Sequence, residues 1–171
     1  MNKKEAKTKI AALLSAGARK ADVLAELGGQ GLKDRVLAHL IASHADPELC
    51  RKNQLHTRIL VGLGIAQLLI SVGLAYLLWA DTRSNGAALL FIWGFSTHRV
   101  GAYHAFIILS LLQLPKTIAA LAHEPSSAVP SLAVTVVLVG YVWFVRNRMF
   151  PDFGWFTPRK VDGRYAFVET A

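Results

Sequence analysis

The sequence predicts an all-α integral membrane protein in which a short helical head precedes a membrane-embedded helix bundle. Hydrophobic residues make up 53% of the 171 residues, and the mean hydropathy of +0.37 is too high for an ordinary soluble domain. The long apolar runs all follow Arg58, while Lys and Arg concentrate before the first run and after the last. We therefore expect a basic head at residues 1–57, a membrane bundle at 58–146 and a tail at 147–171.

The head has the periodicity of short amphipathic helices. Apolar residues recur at spacings of three and four in three runs separated by glycines, over residues 3–16, 19–27 and 32–43. Asp46 and Pro47 then have the residue types of a helix N-cap and first turn. The apolar stretch after the first lysines is too weak for a secretory signal peptide. Because Asp34 lies between the cations of the third run, a DNA-reading helix is disfavoured and we expect no nucleic-acid partner.

The first and last spans are continuous apolar runs. Residues 59–80 carry no charged side chain and are about as long as the ~20 residues that cross a bilayer. Residues 129–145 end at Arg146 and Arg148. Lys and Arg collect on the cytoplasmic side of a membrane, so basic segments at both ends predict an even number of crossings, with both termini in the cytoplasm.

The stretch FIWGFSTHRVGAYHAFIILS determines how the middle of the chain crosses. One continuous helix would place Arg99 inside the bilayer, at a cost of ~2.5–3.5 kcal/mol or more. A turn at 96–101 avoids this cost and gives two elements, at 86–96 and 100–114, with a cytoplasmic corner between them.

The element at 86–96 is short for a span. The bundle therefore has either four transmembrane helices or two, with a re-entrant hairpin between them. We expect Pro115 to end or kink the third helix and residues 123–130 to form a loop.

Few residues are candidates for a functional site. The six histidines offer no pair at helical metal-binding spacing, and no carboxylate lies within an expected span. We therefore expect no enzyme, catalytic residue, metal or cofactor. A candidate polar cluster lies around the start of the third helix and contains His98, Arg99, Tyr103 and His104, although the adjacent Tyr103 and His104 cannot share a helix face. The intramembrane polar residues of types that hydrogen-bond between helices are Gln67, Ser110 and Gln113.

The tail MFPDFGWFTPRKVDGRYAFV combines aromatic rings with cations. Such residues suit either the membrane–water interface or a patch that binds a protein partner; the candidates are Trp155, Phe156, Arg159, Lys160 and Tyr165. The Asp162-Gly163 pair predicts a small hairpin over residues 160–167.

Three stretches resemble small polytopic inner-membrane proteins of bacteria that carry a helical cytoplasmic head. These stretches are SAGARKADVLAELGGQGLKDRVLAHLIASHADP, GAYHAFIILSLLQLP and VRNRMFPDFGWFTPRKVDGRYAF. The resemblance extends over most of the chain and implies this fold without an activity. It also implies a fuller second span than residues 86–96, so the four-helix count stays open.

Small polytopic proteins without a catalytic site include immunity proteins, which protect a cell's membrane against its own pore-forming toxin; this is an analogy of type. We expect a non-enzymatic bacterial inner-membrane protein that acts by protein–protein interaction, most concretely as such an immunity protein. Its partners would be the lipid bilayer and a cognate toxin or other membrane protein, with association of several copies as a further option. The alternatives are a component of a small-solute channel or transporter, and a head that acts as a cytosolic sensor or adaptor.

Overall fold

The computed structural model describes residues 1–78 and 85–168, most of which are helical. The chain forms two compact units, Met1–Asp46 together with Met149–Ala171, and Pro47–Arg148. We call these the head–tail unit and the membrane unit. The end of the first span predicted at residue 80 lies outside the described residues, as do residues 169–171 of the tail.

Three helices form the N-terminal part of the head–tail unit, close to the three predicted runs: α1 Lys3–Ser15, α2 Lys20–Leu27 and α3 Asp34–Ala42. α1 begins with a capping box, in which the Asn2 side chain accepts from the Lys4 N–H and Glu5 accepts from the Asn2 N–H. Each helix buries one apolar stripe in a common core of Ile10, Val23, Leu27, Leu37 and Ile41.

The C-terminal tail packs with these helices. Phe167 lies against their core, and Phe150 and Phe153 are buried. Two short strands, β1 Lys160–Val161 and β2 Arg164–Tyr165, pair antiparallel. Asp162 and Gly163 between them have φ of 50° and 78°, the left-handed pair of a type I′ turn. The hairpin predicted from the Asp-Gly pair is therefore present.

A buried ion pair joins the tail to α2. Lys20 Nζ donates to Asp152 Oδ2 at 2.5 Å, and the Val168 N–H donates to Asp152 Oδ1 at 2.6 Å. Asp152 is 1% exposed. A carboxylate loses several kcal/mol of hydration when it is buried, so it is stable there only with such partners. One side chain thus connects α2, the start of the tail and its end.

The membrane unit contains four helices and most of a fifth: α4 Pro47–Lys52, α5 Gln54–Leu78, α6 Asn85–Ser96, α7 Val100–Ala120 and α8 Pro125–Met149. Three stretches of the described residues are long and apolar enough to cross a bilayer: Gln54–Gly73, Val100–Ala120 and Pro125–Met149. This composition is that of a multi-pass membrane protein. α6 has 12 residues, and at ~1.5 Å per residue it is ~18 Å long, which is little more than half of the hydrocarbon thickness.

Close packing holds the short helix α6 between α5 and α7. A Cβ added to Gly94 would overlap the Cβ of Ala102, and one added to Gly64 would come within 2.9 Å of Ile92 Cγ1. The ring of Phe95 lies 4.9 Å from that of Tyr103, centroid to centroid. The chain turns between Ser96 and Val100, so the break predicted there is present.

The predicted end of the third helix at residue 114 and the predicted loop at 123–130 were wrong. α7 continues through Pro115 to Ala120, and α8 begins at Pro125 and includes Pro130, so most of the expected loop at 123–130 is helical. Pro125 takes the first helical position, where its missing N–H would have no partner anyway. In a bilayer, a broken helix leaves several backbone groups unsatisfied whereas a proline removes one hydrogen bond, so the helix continues.

Candidate functional site

Polar side chains connect the start of α5, the start of α7 and the end of α8. The Tyr103 hydroxyl and the Thr57 side chain form a hydrogen bond. His56 Nδ1 lies 2.9 Å from the Tyr141 hydroxyl, and Arg146 Nε donates to His104 Nε2 at 3.1 Å. We call this set the polar layer; its members are His56, Thr57, Tyr103, His104, Tyr141 and Arg146. These contacts place the three helix ends at the same end of the membrane unit.

Arg146 is the largest fully buried side chain of the described residues, at 1% exposure. Besides His104, it donates from Nη1 to Asn147 Oδ1 at 2.5 Å, and its guanidinium lies 5.1 Å from the Trp143 ring centroid. A guanidinium only donates, so Nε2 of His104 is the acceptor, and a neutral His104 ring carries its proton on Nδ1. The contact fixes α8 to α7 through a charged, hydrogen-bonded group that is costly to separate.

Tyr103 and His104 face different neighbours. Tyr103 is fully buried against Phe95 of α6 and bonded to Thr57 of α5, whereas His104 binds Arg146 of α8. Adjacent helical residues point about 100° apart, so one residue pair holds α7 to helices on two sides.

His98 and Arg99 form the corner between α6 and α7. His98 has φ of 52°, a left-handed conformation that is uncommon outside glycine. Burial lowers the pKa of its imidazole below the ordinary value. Arg99 is exposed, and its guanidinium lies 4.1 Å from the Trp93 ring centroid, a cation–π distance. Of the four residues of the predicted polar cluster, Arg99, Tyr103 and His104 thus contact different side chains.

The intramembrane amides lie on the outer surface of the membrane unit. Gln67 of α5 and Gln113 of α7 are exposed, and Ser110 is half-buried. A polar path through one copy of the chain requires side chains that point between its helices. The amides therefore give the channel hypothesis no support, whereas an outward amide in hydrocarbon is suited to bond with another helix.

Two aromatic rings of the tail are exposed. Trp155 is 70% exposed and Phe156 is 40% exposed, and their ring centroids lie 6.4 Å apart. Arg159 is exposed nearby in the sequence, and Lys160 Nζ lies 4.7 Å from the Tyr165 ring centroid. We call Trp155 and Phe156 the aromatic surface. Phe150 and Phe153, from the same segment, are core residues instead.

Several residues that position these features were missed by sequence reasoning. The sequence marked Arg146 only as the basic end of a span, and His56 and Thr57 had no local signal. Their partners are far away in the sequence: 42 residues separate Arg146 from His104, and 132 separate Lys20 from Asp152. The available signal was the position of Asp152 between aromatic residues, because a carboxylate that becomes buried among them requires a partner.

Among the described residues, no group of three or more His, Cys, Asp or Glu side chains could hold a metal ion. No protein-family model, curated protein or solved structure matches this chain.

Proposed function

We propose that this protein is a multi-pass protein of the bacterial inner membrane that acts by binding another protein. The most concrete version of this proposal is that the protein is an immunity protein, which protects the membrane against a membrane-targeting toxin. Trp155 carries the proposal, because it is 70% exposed in a tail that buries its neighbouring Phe150 and Phe153. An exposed Trp beside cations is the composition of an interface hot spot.

In this proposal both termini lie in the cytoplasm. The start of α5 and the end of α8 meet in the polar layer, and basic residues lie near both, including Arg58 and Arg148. The positive-inside rule assigns that end of the bundle to the cytoplasmic face. α6 then returns the chain to this face, either as a short fourth crossing in a locally thinned bilayer or as a re-entrant helix shielded by α5 and α7.

The outer faces of the membrane unit supply a second contact in the bilayer. Leu69, Leu112 and Val137 are 66%, 67% and 69% exposed, so each long helix presents an apolar face. The outward amides of Gln67 and Gln113 can hydrogen-bond to a helix that enters the membrane. Helix packing and hydrogen bonding are sufficient to hold a pore-forming segment in an inactive arrangement, without any catalytic step.

The test is site-specific photocrosslinking in cells that also express the product of the gene next to this one, which the immunity hypothesis identifies as the toxin. A photoreactive phenylalanine at position 155 should crosslink to that product. The control position is Glu26, an exposed residue of α2 in the same unit. Equal adducts at positions 26 and 155, or lipid adducts alone at position 155, would contradict the proposal.

A further inference from the structure

A cleft of about 300 Å³ lies between α1, α3 and the tail in the head–tail unit. One part of its wall is cationic and comes from Lys3 and Arg35. The other part is apolar and comes from Val36, Leu40, Phe156 and Pro158. Three separate parts of the chain therefore build one concave surface, which contains both charge and hydrocarbon.

No described residue neutralises the charge of the cleft. Within residues 1–78 and 85–168, no acidic residue lines it, and neither Lys3 nor Arg35 forms an ion pair. Two other cations of this unit differ, since Arg19 pairs with Asp22 at 2.8 Å and Lys20 pairs with Asp152. His39, also in the lining, has a lowered pKa because of burial and the charge of Lys3. The cleft is thus a site of positive potential.

We propose that this cleft binds a phosphate group that is attached to an apolar moiety. The fork of Arg35 matches two phosphate oxygens, and Lys3 supplies a second charge to the same group. Phe156 and Leu40 cover the apolar part. The Thr157 hydroxyl, in the same lining, adds a donor or acceptor. This inference goes beyond the proposed function, because it requires no protein partner.

Two sources can provide this chemistry: the headgroup of an anionic phospholipid and a soluble phosphate compound. The apolar wall favours the lipid, since a free phosphate gains nothing from Leu40 or Phe156. The position in the sequence favours it as well, because Phe156 follows Met149, the last residue of α8, by only seven positions, and seven residues of chain reach at most ~25 Å.

The test is calorimetric titration of the full-length protein in a neutral detergent. The probes are inorganic phosphate, dihexanoyl phosphatidic acid and dihexanoyl phosphatidylcholine, the last as a zwitterionic comparison. The cleft variant is Lys3→Gln with Arg35→Gln. The matched control is Lys7→Gln with Lys9→Gln, which removes the same charge from exposed positions of α1 outside the cleft. Arg35→Lys keeps the charge but loses the fork.

We expect saturable binding of phosphatidic acid that is at least ~10-fold weaker in the cleft variant and unchanged in the control variant, with Arg35→Lys between them. Weaker binding of inorganic phosphate supports a phosphate with an apolar moiety and identifies a lipid headgroup. Equal binding would leave the apolar wall without a role and would overturn the proposal. Unsaturable binding, an equal loss in the two double variants, or phosphatidylcholine binding as tightly as phosphatidic acid would each overturn the proposal.

Discussion

Replacing Asp152 with Ala should release the tail from the head helices. In the native protein this carboxylate holds Lys20 Nζ at 2.5 Å and the Val168 N–H at 2.6 Å. Its removal leaves the Lys20 ammonium, whose side chain is only 16% exposed, without its counter-charge. Breaking one partner of a buried ion pair costs ~3–5 kcal/mol, and the orphaned amide adds ~1–3 kcal/mol if it stays dry.

Some of this cost is recovered, because Lys20 has a long side chain that can rotate toward water. We therefore expect the head–tail unit to lose ~3 kcal/mol of its unfolding free energy, a large part of the 5–15 kcal/mol of a typical domain. The assay is hydrogen exchange with mass spectrometry on the full-length protein in detergent. Amides of the tail and of α2 should exchange ~100-fold faster, as follows from ~1.4 kcal/mol per factor of ten.

Two further variants test the physical reason. Glu26→Ala removes an exposed carboxylate of α2 and should leave exchange unchanged. Lys20→Met combined with Asp152→Asn removes both charges but keeps an acceptor for the Val168 amide, so most of the protection should return. If Asp152→Ala exchanges like the native protein, or if the double variant is no better than the single one, the ion pair does not hold the tail.

Three other predictions concern packing, the polar layer and pH. Gly94→Ala should lower the midpoint of thermal unfolding in detergent, because the added Cβ would push α6 away from α7. Gly101→Ala is the control and should not lower it, since a Cβ there meets open space. Equal midpoints of the two variants would refute the close contact. His104→Ala should cost ~1–3 kcal/mol by removing an acceptor from the buried Arg146, and His104→Gln, whose Oε1 can accept from the guanidinium, should recover part of this stability. A neutral effect of His104→Ala in thermal unfolding would contradict this role. Burial lowers the pKa of His44, and the charge of Lys20 acts in the same direction while Asp46 opposes it. The folded state therefore binds fewer protons than the unfolded state, and the stability of the protein should fall as the pH drops below 6.5, the ordinary pKa of histidine. This fall should be smaller in His44→Gln, and an identical pH profile in that variant would refute the assignment.

Local signals accounted for most of the helical elements. The head helices follow from apolar spacing and from turns such as Gly17, whose φ is 87°. The turn before Val100 follows from the cost of placing Arg99 in hydrocarbon, and the hairpin follows from Asp162-Gly163. Each of these features is decided by residues within one or two helical turns, so one sequence is sufficient to predict it.

The proline boundaries could not be predicted from local preference alone. In water, Pro115 would end a helix at little further cost, because solvent can satisfy the freed backbone groups. In a bilayer no such solvent is present, and the environment reverses the preference. The tertiary contacts were hidden for a different reason: the pairs Lys20–Asp152 and His104–Arg146 join distant segments, and no periodicity in either segment marks its partner.

Deletion of the gene tests the central claim most directly. The deletion is made in cells that carry the neighbouring gene and in cells that lack it, and membrane potential and viability are measured in both. We expect depolarisation and death only where the neighbouring product is present, with rescue by the native protein and weaker rescue by Trp155→Ala. Equal survival of both deletion strains, or rescue that does not depend on Trp155, would contradict it.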